Sequence, residues 1–301
     1  MAGASWLRLT QKWVFFMITL DDLQPYLNVD EVNRVMEDTC REAIASPASI
    51  HLFMQRFVRY SSAYSHSVPM LCSTIGMSQQ FCDPQAAFAS HSDRSMDVAA
   101  KVFSASIEEF QDPRTGVSHR TLAYGLLDAL AAYAGLSAAE VAQVVQRGSW
   151  LPEMIAFVQA SYQASPTSLE QMVRAMGFHA AAETIGGNEF SIINAILFST
   201  QRQGSFGQFI KQHKIRFAQG TVSPWYWIVI HGTHATEGVE LGHADDAVQA
   251  LNLAAQYAPV SEAQIVAWAG EGVQQLAAIQ TRFFRRAQQE LREVAALPVG
   301  V

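Results

Sequence analysis

The chain has 301 residues, half of them hydrophobic and only 16% charged, which is ample material for a large buried core. Twenty Lys and Arg against 27 Asp and Glu leave a formal net charge of −7. The one dense basic cluster, Arg282 with Arg285 and Arg286, has the spacing of a solvated helix face, so the composition argues against a nucleic-acid partner.

Three cysteines, Cys40, Cys72 and Cys82, form neither a disulfide framework nor a CxxC zinc pair, and a reducing cytoplasm fits them best. The apolar run Trp13–Leu20 follows Arg8 and Lys12. It is shorter than the roughly 20 residues that span a bilayer, and Asp21 and Asp22 close it. With no small-residue cleavage site, it reads as a buried segment in an N-terminal extension (1–27), and no membrane partner is expected. Residues 28–295 then form one helical bundle.

The ten prolines lie at the ends of apolar-periodic stretches, where helices start or stop. In 118–135, Leu122, Leu126, Leu127, Leu130 and Tyr133 recur at helical spacing, with Gly135 as the stop. Ser137-Ala-Ala-Glu140 is a capping box for the next helix. Ser165–Ser168 opens another, carrying Leu169, Met172, Val173 and Met176, and Gly186-Gly187 is expected to be a turn or helix stop. The β-rich run Trp225–Ile230 follows Ser223-Pro224 and reads as the buried start of a long helix. The last helix runs from near Ser261 to about Val294. The expectation is all-α, about eight to ten helices, with little strand. Met70, Met77, Phe81 and Phe88 are expected in the core.

Chemistry concentrates in 231–246, where His231, His234, Glu237, Glu240, His243 and Asp246 recur at every third residue. Such a row drifts about 60° per step on an ideal helix, so three consecutive members converge but five do not. Gly232, Gly238 and Gly242 are places where the helix can distort. Imidazoles with carboxylates suit iron, manganese or zinc, and carboxylate-rich bundles favour di-iron. Partners on other helices are Glu109 (or Glu108) with His119, and Glu183 (or Glu189).

These pieces, in this order, resemble the heme-oxygenase-like di-iron oxidases over about residues 50 to 290. Glu109 and His119 in Glu-Glu-Phe-Gln-Asp-Pro-Arg-Thr-Gly-Val-Ser-His match the family's first motif. Glu183 in Gly-Phe-His-Ala-Ala-Ala-Glu matches the second, and Glu240 with His243 the end of the third. The family places a further His four residues before that last acidic residue, which here is Thr236; His234, His231 and Glu237 are the substitutes at hand.

The resemblance implies a heme-oxygenase-like bundle in which Glu109, His119, Glu183, His234, Glu240 and His243 hold two ferrous ions. With dioxygen as co-substrate, it implies oxidation of a small amine, amino acid or carboxylic acid, by N-oxygenation or oxidative cleavage in specialised metabolism. Arg56, Arg59 and Arg120 are candidate partners for a substrate carboxylate. Three alternatives stay open: a heme oxygenase with His51 as axial ligand, a thiaminase-like hydrolase using Cys72 or Cys82, and a non-enzymatic interaction protein whose His/Glu row is only surface. A homodimer is allowed, an exposed Trp225–Tyr226–Trp227 cluster being the kind of patch that forms an interface.

Overall fold

In the computed structural model, residues 17–104, 107–217, 219–232 and 239–296 are described, with only the backbone of 239–241. The chain is all-α, as the periodicity predicts. The helices begin where side chains satisfy the first free backbone N–H groups. After a short α1 (Leu20–Leu23), Asn28 caps α2 (Val29–Ala43) and Ser46 caps α3 (Pro47–Ser65). Then come α4 (Val68–Ser78), α5 (Ser95–Ser104) and the single turn α6 (Ile107–Phe110). Ser118 caps α7 (His119–Tyr133), and Gly135 ends it with φ +66. Ser137 and Glu140 form the expected capping box of α8 (Ala138–Arg147), followed by α9 (Leu151–Ser161).

Ser168 caps α10 (Leu169–Ile193), which runs straight through Gly186-Gly187. The expected stop there does not occur: a helix bounded by packed neighbours absorbs two glycines at about 1 kcal/mol each. A π-helical turn, Asn194–Phe198, ends it, and α11 (Ser205–Gln212) follows. The antiparallel pair β1 (Ile215–Phe217) and β2 (Gly220–Val222) escaped the sequence reading because three-residue strands carry too little alternation to register. Trp225–Ile230 is helical as expected, in α12 (Tyr226–Gly232). The chain closes with α13 (Val239–Tyr257) and α14 (Glu262–Ala295). Eleven of these helices have eight residues or more, slightly above the expected number.

The long helices α10 and α14 form the spine, packed on each other and on α2, α12 and α13. Their backbones touch. A Cβ at Gly177 would lie 2.1 Å from the Ala269 carbonyl oxygen, and one at Gly272 would lie 2.0 Å from that of Arg174. Around the crossing sits an aromatic core in which Tyr60 stacks on Phe283 at 4.0 Å and Phe57 meets Phe190, Trp227 and Phe284.

Of the residues expected in the core, Phe81 is there, but Met70, Met77 and Phe88 are exposed on α4 and the loop after it. Apolar identity alone does not bury a side chain, because protein surface is itself more than half apolar. Trp225 and Trp227 are buried, not exposed, and the Trp225 indole N–H donates to Asn194 Oδ1 in the π-turn at 3.0 Å. The cluster fastens α12 to the end of α10 and offers no interface.

Candidate metal centre

Three elements converge at one end of this spine. Glu109 lies in α6, and His119 is the first residue of α7. The turn between them folds on Asp112, whose Oδ1 accepts from the Thr115 backbone N–H at 2.7 Å and its hydroxyl at 2.6 Å. Gly116, at φ +70, donates its N–H to the Asp112 carbonyl, and the Asp112 N–H donates to Val117. This closed Asp-Pro-Arg-Thr-Gly turn brings a carboxylate and an imidazole ten residues apart onto one spot. Asp112 Oδ2 also accepts from the Tyr226 hydroxyl at 3.1 Å, tying the turn to α12. That helix carries His231, whose ring stacks on Phe190 at 4.4 Å.

The result is a compact donor triangle. His119 Nδ1 lies 2.8 Å from Glu109 Oε1 and 3.1 Å from His231 Nε2, and His231 Nε2 lies 3.0 Å from the same carboxylate oxygen. His231 Nδ1 faces the Trp227 carbonyl at 2.7 Å. A carbonyl only accepts, so Nδ1 carries the proton of the neutral ring and Nε2 turns its lone pair into the triangle. Neighbouring ligands at about 2.1 Å from an octahedral ion are about 3.0 Å apart, whereas a tetrahedral ion at about 2.0 Å would spread them to about 3.3 Å. Two imidazoles and one carboxylate at this spacing fit three adjacent corners of an octahedron. Burial opposes charge on His119 and on Glu109, yet each supports the other's ionisation. The net effect raises His119 and holds the Glu109 carboxyl well below the usual range.

Glu183 stands beside this triangle, inside α10 and not at a helix end. Its Oε1 is 3.5 Å from His179 Nδ1 and its Oε2 is 3.7 Å from His243 Nδ1. Burial, reinforced by the charge of Glu109, pushes the Glu183 carboxyl up to about 8. Burial likewise lowers His243, and lowers His179 to about 4. His179 Nε2 has no hydrogen-bond partner. Of the paired choices left by the sequence, Glu183 rather than Glu189 joins the imidazoles, and Glu109 rather than Glu108 faces them.

Among the described residues the first cluster takes in His231, one of the substitutes the sequence offered beside His234. His234 and Glu237 lie outside the described residues, as does the side chain of Glu240, three residues before His243 on α13. Asp246, the last of the three-residue row, is taken by Lys101 Nζ at 2.8 Å and the Ser104 hydroxyl at 2.6 Å. His179 was missed, although its place four residues before Glu183 on one helix face was a legible signal.

Both clusters open onto one cavity, walled by Ser61, Tyr64, Ala123, Phe190 and Trp227 among others. Of the candidate arginines, Arg120 lines it, while Arg56 is fully buried elsewhere and committed to Glu290, Gln55 and the Val144 carbonyl. No protein-family profile, curated protein or solved structure matches the chain.

Proposed function

We propose that the protein is a non-heme iron oxidoreductase that uses dioxygen to oxidise a small organic substrate, in the manner of the heme-oxygenase-like di-iron oxidases. The observation carrying this is the triangle of Glu109 Oε1, His119 Nδ1 and His231 Nε2, with sides of 2.8, 3.1 and 3.0 Å. At most one proton fits among these three electron-rich atoms when His231 is neutral, so the arrangement favours a cation at their centre.

Glu109, His119 and His231 would hold one ion, and Glu183 with His243, backed by His179, the second. Ferrous iron, when bound by such a donor set, would supply one-electron chemistry with dioxygen. The chain's own groups have separate tasks. The Trp227 carbonyl fixes the His231 tautomer, and the Phe190 ring fixes its plane. Trp227, Phe190 and Ala123 provide apolar wall that limits water at the substrate.

The hydrolase alternative gains no support. Burial raises the Cys72 thiol to about 12, and neither Cys72 nor Cys82 lines the cavity. His51 is likewise absent from the cavity wall, which leaves a heme axial role without a site there.

Anaerobic ferrous titration tests the reading. The expectation is about two irons per chain, falling in His231→Ala and again in His243→Ala. One iron in the parent would reduce the centre to the Glu109–His119–His231 site. No iron would end the proposal.

A further inference from the structure

The cavity has a second polar end that the metal clusters do not use. Glu189, 5% exposed on α10, and Gln280, 2% exposed on α14, both line it. The two side chains share one hydrogen bond, and beyond it Glu189 Oε1 and Gln280 Oε1 are buried atoms with no partner. A buried acceptor is destabilising until a donor reaches it. The α3 serines add acceptors and no donors, since Ser61 and Ser62 spend their hydroxyl protons on the Val58 carbonyl and Ser65 spends its own on that of Ser62, while the Tyr60–Tyr64 pair keeps one hydroxyl proton to give. What remains directed at the cavity from these serines is lone pairs.

The groups around Glu189 offer it no cation. Tyr60 and Tyr64 on α3, Cys40 on α2 and Gln280 on α14 surround it, and the two tyrosine hydroxyls bond each other at 2.7 Å. Among the described residues lining the cavity, Arg120 is the one permanent cation, and it is engaged with His66 Nδ1.

We propose that the Glu189–Gln280 end of the cavity is the subsite for a protonated primary amine, so that the substrate is an amine held by its ammonium group with the rest of the molecule reaching toward the His/Glu clusters. This rests on reading the same cavity as the substrate site of the proposed oxidase. An alkylammonium brings three donors to a place with unpaired acceptors and one carboxyl, and its hydrocarbon lies along Phe190 and Trp227. An alcohol brings one donor and no charge. A carboxylate brings only more acceptors.

Charge balance gives the complex a signature. Burial raises the empty-site Glu189 carboxyl to about 8, so near neutral pH it holds its proton. Docking of an ammonium leaves carboxylate against ammonium, and the carboxyl proton goes to buffer.

The test is calorimetric titration of metal-free protein with n-hexylamine, hexan-1-ol and hexanoate, in two buffers of different ionisation enthalpy at about pH 7. The amine is expected to bind at least about tenfold more tightly than either analogue and to release close to one proton per molecule bound. Glu189→Gln is expected to remove both the preference and the proton release while taking up iron like the parent. Amine binding no tighter than that of the alcohol, or preference and proton release surviving in Glu189→Gln, overturns the proposal. Iron uptake measured on the same preparations separates the two readings. Amine binding with proton release but without iron uptake would sink the oxidase and keep the subsite; iron uptake without amine preference would do the reverse.

Discussion

Glu189→Gln also has a thermodynamic consequence in the protein without any ligand. Burial raises the Glu189 carboxyl to about 8 in the fold, against about 4.3 for an exposed glutamate. Between those values the folded chain holds a proton that the unfolded chain has lost, so the contribution of Glu189 to stability is greatest below about pH 4.3 and falls as pH rises toward 8. At 1.36 kcal/mol per pH unit, the loss between pH 5 and 7.5 is about 3 kcal/mol, and the total loss from the fully protonated state levels off near 5 kcal/mol above pH 9. Glutamine has nearly the same shape, never ionises, and can donate to the unpaired Gln280 Oε1. The variant is therefore expected to match or slightly exceed the parent at pH 5 and to gain about 3 kcal/mol on it by pH 7.5. Urea unfolding of metal-free parent and variant at several pH values reads this directly, and Glu183 titrates alike in both and cancels. A stability difference that stays flat with pH, or a parent that becomes the more stable protein as pH rises, would refute the buried, proton-holding Glu189.

Three further outcomes follow from the packing. Gly177→Ala places a methyl 2.1 Å from the Ala269 carbonyl oxygen, so the α10–α14 crossing must open; thermal or urea unfolding is expected to show a loss of about 1–3 kcal/mol. Glu290→Ala strands the fully buried Arg56 guanidinium, which Glu290 meets at 2.5 and 2.9 Å, and also leaves the Trp150 indole N–H without its acceptor. The cost is expected near 3–5 kcal/mol, with Arg56→Met in the same chain restoring part of it. Glu109→Gln removes the negative charge that raises His119, so the His119 ring should titrate lower by NMR and iron uptake should fall at the first position.

Much of the helical frame was legible in the sequence because its signals are local. Ser118, Ser137, Ser168 and Ser261 each cap the helix they were expected to open, since a capping hydroxyl needs only its own next three residues. Glu109 and His119 were legible for a similar reason: the Asp-Pro-Arg-Thr-Gly turn that joins them is closed within itself. His231 was harder. A row of every third residue assumes one continuous helix, yet His231 and His243 lie on two helices, α12 and α13, and meet the same cavity twelve residues apart. Along one straight helix that separation would be about 18 Å. Tertiary placement of α12, through Asp112, Asn194 and Phe190, selects His231, and no local spacing rule contains that information.

The distribution of charge through the fold points the same way. Away from the cavity the core is largely apolar, and the buried Arg56 on α3 has a full set of partners. Around the cavity charge gathers instead: Glu109, Glu183 and Glu189 face one space, and Glu189 and Gln280 each keep an unpartnered buried atom. A core selected for stability alone would carry neutral, paired or apolar groups at these positions. Three carboxylates and two unpartnered acceptors gathered on one cavity are what a binding site leaves in a fold. The pH-dependent stability gained by Glu189→Gln thus measures part of what that site costs the protein when no ligand is bound.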